Sequence, residues 1–186
     1  MPERVNILAP SQPSSHTEPT PSRPQMPPNY HIPTTHEGLL PWSHARERLE
    51  QAQIYWIATT QPDGRPHVTP VWGVWVDEML YFDGNPTTRR GRNLARNPAV
   101  AVHVESGGAG KDVVIVEGAA HEIRRPDHPL TTRIAAAYAA KYGSEGYEPG
   151  PDAWDTGGLY VMRPHVAFAW LADLTKESTR WHFQAE

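Results

Sequence analysis

From residue 54 onward the chain is built of short apolar or alternating runs, most of them separated by turn-forming residues. Alternation with a period of two puts successive side chains on opposite faces of a strand. Residues 54–60 (IYWIATT), 66–76 (PHVTPVWGVWV) and 79–83 (MLYFD) therefore predict three strands. The Asp-Gly pair of QPDGR and the pair Asp77-Glu78 predict tight turns between them, which makes the three an antiparallel meander. Residues 99–105 (AVAVHVE) and 113–123 predict a fourth and a fifth strand around the loop SGGAGKD, and 159–171 and 179–183 predict two more.

Three segments carry a helical period instead. Pro41 and Ser43 precede HARERLEQAQ, where Trp42, Ala45, Leu49 and Ala52 share a face suited to lie across the end of a sheet. Residues 88–96 predict a short helix, and residues 129–142 a longer one with Leu130, Ile134, Ala137 and Tyr138 at helical spacing. Strands joined by hairpins rather than by regular βαβ crossovers predict a mainly β fold with α elements. The expected architecture is a small mixed barrel of antiparallel strands with flanking helices, not a doubly wound α/β sheet. No internal repeat is present.

Composition divides the chain in two. Ten of the 20 prolines fall within the first 41 residues. Residues 1–38 are rich in Pro, Ser and Thr and nearly empty of large apolar side chains, so they predict an arm that is disordered or wraps a neighbour. Residues 39–186 remain as one domain with a sizeable core. A net charge of -4 and a pI near 6.2 do not point to nucleic acid as a partner. The absence of cysteine removes disulfides, thiolate nucleophiles and Cys-ligated metal sites, and suits a reducing, cytoplasmic setting. No apolar run approaches the ~20 residues of a membrane-spanning helix. No apolar stretch follows a basic start, so no secretory signal is expected.

The junction of strand and helix at residues 84–96 (GNPTTRRGRNLAR) holds the most chemistry. Thr87 and Thr88 are turn and cap residues, and Arg89, Arg90 and Arg92 follow within one turn. Positive charge at a helix N-terminus opposes the helix dipole by about 0.3–1 kcal/mol per charge. A phosphate among these groups would resolve that conflict. A solvated basic surface with Thr87 merely capping is the other reading of the same residues. In the strand HVTPVWGVW, Pro70 has no N–H to donate and Gly73 no side chain, so a pairing gap is expected near them. Trp72 and Trp75 point to opposite faces, one into the core and the other toward a groove or a subunit contact. Packing alone is the competing reading for both. The tail HVAFAWLADLTKESTRWHF either docks on a partner subunit or packs as core strands.

The order of these motifs resembles a known family. The hairpin Gly64-Arg65-Pro66, a P-V-W strand, an L-Y-F strand and a T-x-R-x-x-N-L-x-x-N-P helix together resemble the split-barrel flavin and deazaflavin proteins, often called pyridoxamine 5'-phosphate oxidase-like. The resemblance covers residues 40–123 well and the rest loosely. It implies an FMN-binding split β-barrel and a homodimer with each cofactor in a groove between two barrels. The phosphate-binding positions implied are Thr88 and Arg90, with Thr87 and Arg89 adjacent, while Asn93 fixes the helix. The ring-contacting strand falls on His67, Thr69, Pro70, Val71 and Trp72. The tail has no Arg-Leu element ahead of Arg180-Trp181-His182, so vitamin B6 oxidation is not the expectation. The resemblance leans instead to reductases that use the deazaflavin coenzyme F420, with FMN as the close second.

The resulting expectation is an oxidoreductase that transfers hydride from reduced F420, or FMN, to a conjugated or aromatic small molecule. Trp154, Trp170 and Trp181 are the candidates to wall the substrate side. No catalytic side chain is nominated. The alternative is a non-catalytic carrier of flavin, deazaflavin or haem. The ten histidines show no H-E-x-x-H, and no metal is expected even if His67, His103 and His121 approach across strands. There is no G-x-S-x-G elbow, and SGGAGKD lacks the order of a phosphate loop.

Overall fold

A computed structural model of the chain describes residues 18–184. Its strands are β1 (Thr20–Ser22), β2 (Tyr55–Thr60), β3 (Pro66–Val71), β4 (Gly73–Val76), β5 (Met79–Asp83), β6 (Ala99–Glu105), β7 (Val113–Glu122), β8 (Leu159–Trp170) and β9 (Thr179–His182). Four helices accompany them: α1 (Trp42–Gln51), α2 (Arg89–Leu94), α3 (His128–Tyr142) and α4 (Leu174–Glu177). Every pairing is antiparallel. The strands run β1-β9-β8-β7-β6-β2-β3, and the β4–β5 hairpin joins the same sheet where β5 pairs with β8. This is the split-barrel architecture, mainly β with flanking helices. Among the described residues no pairing closes the path into a ring.

The split originates in the pairing of β8. One edge of this strand pairs with β7 along nearly its whole length. The other edge is shared, with residues 159–162 taken by β5 and residues 166–169 by β9. Between them the β7–β8 register shifts at Glu117/Gly118, opposite Pro164. Proline cannot donate to the ladder, and such an irregularity bends and twists the strand that carries it.

A second break lies in the stretch 66–76, which the sequence predicts as one long strand. It is two strands with different partners, since β3 pairs with β2 and β4 pairs with β5. Trp72 is the unpaired link, between the Pro70 and Gly73 that predict a gap. The hairpin that follows is buried on both faces. Trp75, Leu80 and Phe82 point into the barrel core, with Trp42, Leu49, Tyr55, Ile57, Met162 and Trp181 among its members. Val74 and Tyr81 point the other way, where Ile134, Tyr138 and Tyr142 of α3 cover them together with Trp154.

Helix α1 plugs the barrel with the face its period predicts, since Trp42, Ala45 and Leu49 are buried. The tail packs as core: β9 pairs with β8, and Trp181 is fully buried against Trp42. Of the Pro-rich segment 1–38, residues 1–17 lie outside the described residues. Farther along, β1 lies on the edge of β9. Arg23 then donates to the carbonyls of Thr35 (2.9 Å), Lys176 (2.6 Å) and Ser178 (3.0 Å), as well as to that of Glu37. One guanidinium thus ties this segment to α4 and to Ser178, the residue ahead of β9.

Candidate functional site

Helix α2 starts where β5 ends, and the turn between them is self-contained. Asn85 Oδ1 accepts from the Thr87 N–H and the Thr87 hydroxyl, both at 2.8 Å. Thr88 is the N-cap: its hydroxyl accepts from Gly91 N at 3.1 Å and donates to the Asn85 carbonyl at 2.8 Å. Gly91 is required here, because a Cβ would stand 2.4 Å from the Pro86 carbonyl oxygen. At the inner end of the helix, Asn93 donates to the Thr59 hydroxyl at 3.0 Å with both residues buried, which fixes α2 on β2.

The two neighbouring arginines part company. Arg89 is exposed and donates to Gln61 Oε1 at 2.9 Å. Arg90 is half-buried and turns inward, donating to Thr69 Oγ1 at 3.2 Å and to the Asp83 carbonyl at 3.1 Å. Its guanidinium carbon lies 5.6 Å from the centre of the Phe82 ring. Glycine at position 84 leaves the room, since a Cβ there would lie 2.3 Å from Arg90 Nη2. Burial pulls the pKa of this guanidinium below its ordinary value, with Tyr160 and Asp83 opposing. Among the described residues no carboxylate forms an ion pair with it. Both of its hydrogen-bond acceptors are formally neutral, so its charge is only partly compensated. Thr69 accepts from Arg90 and keeps its own O–H for a further acceptor.

Of the positions expected to contact a ring, Thr69 meets Arg90 directly, Pro70 is exposed and Val71 is buried in the barrel. Trp72 stacks on Tyr142 with ring centres 4.7 Å apart and planes 6° from parallel, and Tyr147 meets its edge at 5.6 Å. The Tyr147 hydroxyl donates to Asp83 Oδ2. Burial, then this bond, push the Tyr147 phenol above its ordinary pKa. Asp83 thereby touches both halves of the site, with its carbonyl on Arg90 and its carboxylate on Tyr147. Sequence reasoning missed Asp83, Tyr142 and Tyr147. The aromatic spacing of Tyr138 and Tyr142 on one helix face was the available signal, but it does not say which strand the face covers.

The three tryptophans expected to wall a substrate surface are not brought together in the protomer. Trp154 is buried beside Tyr138 in the α3 core, Trp181 is buried beside Trp42 in the barrel core, and half-buried Trp170 ends β8 opposite Val113. Strand alternation and chain position do not gather residues that belong to separate cores. Nor are His67, His103 and His121 gathered. Among the described residues no group of three or more His, Asp or Glu side chains is placed to hold a metal ion. No described helix is long and apolar enough to cross a membrane.

An open antiparallel split barrel with a half-buried arginine at its parted edge defines a class, the split-barrel proteins related to flavin and F420 binding. The chain belongs to the pyridoxamine 5'-phosphate oxidase family, whose sequence pattern matches residues 42–171. Its fold is similar to that of a conserved hypothetical protein from Mycobacterium tuberculosis, at 19% identity over 74% of this chain and 88% of that one, with a TM-score of 0.62. An F420 reductase is 27% identical over 66% of this chain and 94% of its own, with a TM-score of 0.51. A heme binding protein from Mycobacterium smegmatis shares the fold at 18% identity, over 68% of this chain and 52% of that one, with a TM-score of 0.54. No protein with a curated description matches the chain.

Proposed function

We propose that this protein is an oxidoreductase that binds reduced coenzyme F420, or FMN, at the Arg90 edge and delivers hydride to a conjugated small molecule. One observation carries the reading: Arg90 is a half-buried cation held only by formally neutral acceptors, at the start of α2 where the phosphate is expected. A phosphate oxygen is the acceptor that completes this arrangement. The 27% identity to an F420 reductase favours the deazaflavin over FMN.

In this reading Arg90 and the Thr69 hydroxyl hold the phosphate. Arg89 adds charge from the rim. Thr87 and Thr88 act mainly by fixing the turn, since their hydroxyls are already engaged there. Backbone groups from Pro70 to Trp72 border the ring, because Pro70 and Val71 end β3 and Trp72, at the break between β3 and β4, has no strand partner. Tyr142 and Tyr147 hold the Trp72 indole in place. When bound, the reduced heterocycle supplies the hydride.

The groove is completed by a second copy of the chain. The outward faces of β2 and β3 support this, since Trp56 is 46% and Val68 54% exposed, and the cross-strand pairs Trp56–Pro70 and Ala58–Val68 make one continuous patch. Such a patch suits an isologous contact. Sedimentation should give twice the 20.8 kDa chain mass. A monomer that binds cofactor with full affinity would refute the shared groove. The cytoplasm is the proposed setting.

Titration with F420 and with FMN, followed by fluorescence, tests the assignment. Saturable binding of one of them is expected, followed by oxidation of its reduced form when a conjugated acceptor is added. Binding without turnover by any acceptor would make the protein a carrier. Binding of neither would overturn the reading.

A further inference from the structure

A second site lies against β4, at the α3 residue next to Tyr142. Helices α1 and α3 flank β4 there and leave an open groove of about 290 Å³, lined by Glu50, Val74, Trp75, Ala137, Ala140 and Lys141. Four of the six are apolar, and the two that are not are an amine and a carboxyl. Lys141 is half-buried, with Nζ 4.8 Å from the Tyr55 ring centre and 5.6 Å from that of Tyr142. Its Nζ donates to Tyr55 Oη at 2.9 Å and to the Gly73 carbonyl at 3.2 Å. The Tyr55 hydroxyl cannot return a proton, because it donates to the Leu49 carbonyl.

This count of partners is one short for an ammonium and complete for an amine. An ammonium carries three donors, whereas a neutral amine carries two and a lone pair. Two acceptors are in place, and among the described residues no carboxylate forms an ion pair with Lys141. The neutral form thus satisfies both bonds and leaves its lone pair without a partner, on a side chain that lines the groove. Burial lowers the Lys141 pKa to about 8 against a weaker opposing pull from Glu50. Burial raises that of Glu50, at the exposed rim, with Arg46 opposing. The titratable groups facing Nζ are Glu50 from α1, Tyr55 from β2 and Tyr142 from α3, while β4 contributes only Gly73, Val74 and Trp75. Two groups in one groove whose environments move their proton affinities toward each other are suited to acid–base chemistry at neutral pH.

We propose that the α1–β4–α3 groove captures small aldehydes with an apolar body, Lys141 forming an imine and Glu50 carrying the protons. The Lys141 nitrogen adds to the carbonyl carbon, a C–N bond forms as the C=O π bond opens, and one of the two amine protons passes from nitrogen to the oxygen to give a carbinolamine. The Glu50 carboxyl then protonates the hydroxyl, which leaves as water while the nitrogen lone pair makes the C=N bond. The proton lost from nitrogen restores the carboxyl. No oxidant or reductant is consumed, and one water is released for each aldehyde bound.

The chain provides its own controls, because Lys111, Lys141 and Lys176 are its only lysines and the other two are exposed. The full-length protein is treated with benzaldehyde at pH 7.5, reduced with borohydride, and mapped by peptide mass spectrometry. Lys141 is expected to be benzylated at least ~10-fold faster than Lys111 or Lys176, because an amine with a lowered pKa has far more of its neutral form at that pH. The preference should shrink as the pH rises toward 10. Equal labelling of the three lysines, or slowest labelling at Lys141, would overturn the site. Glu50→Gln should slow labelling at Lys141 several-fold and leave the other two unchanged. Removing that negative charge alone would free more amine, so an unchanged or faster rate would eliminate Glu50 as the proton carrier. Lys141→Arg, which keeps donors for Tyr55 and Gly73, should abolish the adduct at this position.

Discussion

Replacing Trp42 with alanine is expected to cost about 3–5 kcal/mol of stability, the range for a large aromatic removed from a packed core. Trp42 is 2% exposed at the head of α1. Its ring meets Trp181 at 5.4 Å and Phe183 at 5.0 Å, both edge-on, and Trp75 at 6.4 Å. One side chain therefore joins the helix that plugs the barrel, the β4 wall and the C-terminal strand. Its indole N–H donates to Glu78 Oε2 at 2.8 Å, and Glu78 Oε1 accepts from Arg46 Nε at 2.5 Å. Truncation leaves a cavity and removes the donor to a partly buried carboxylate, and both effects have the same sign. Trp42→Phe keeps most of the packing and should lose about 1–2 kcal/mol from the hydrogen bond and the smaller ring. Urea unfolding followed by far-UV circular dichroism separates the two variants. A loss under ~1 kcal/mol for Trp42→Ala would mean that α1 does not depend on this contact.

That dependence was legible in the sequence, because the helical period places Trp42, Ala45 and Leu49 on one face and nothing in the tertiary structure overrides it. The strands were legible for the same kind of reason. Pro70 and Gly73 also announced the gap at Trp72, since their effects on a ladder are local. The length of the stretch 66–76 misled, because alternation continues through Trp72 although the pairing partner changes there. The tail offered apolar residues but no statement of what they meet. Trp181 in the barrel core and Trp154 under α3 are products of contacts between segments far apart in the chain.

The candidate site divides in the same way. The Thr-Arg helix start could be read directly, because caps and charges at a helix terminus act within one turn. What the pattern left open was which arginine turns inward. The structure selects Arg90, because Gly84 makes room beside it and Thr69 and the Asp83 carbonyl supply acceptors. Asp83 and Tyr147 are 64 residues apart, and Lys141 and Tyr55 are 86 apart. No periodicity connects residues at such separations. Only tertiary packing brings each pair into contact, Tyr147 onto Asp83 and Lys141 onto Tyr55.

Arg90→Ala is expected to weaken binding of the phosphorylated cofactor by about 1.5–3 kcal/mol, roughly ten- to 150-fold in Kd. The substitution removes a charged hydrogen-bond partner from a partly buried position. Arg89→Ala is the matched control: it removes the same charge from the next residue, but from an exposed side chain whose one described bond is to Gln61. It should cost less than about 1 kcal/mol, and less still at high salt, because solvent and ions screen an exposed cation. Arg90→Lys keeps the charge and loses the fork that reaches Thr69 and the Asp83 carbonyl together, so it should fall between the two. Fluorescence titration of the three variants with F420 and FMN at two salt concentrations gives the order directly. If Arg89→Ala and Arg90→Ala weaken binding equally, long-range attraction holds the phosphate and the inward-facing guanidinium is structural. If Arg90→Ala leaves affinity for both cofactors intact while the fold is preserved, the phosphate lies elsewhere on the barrel.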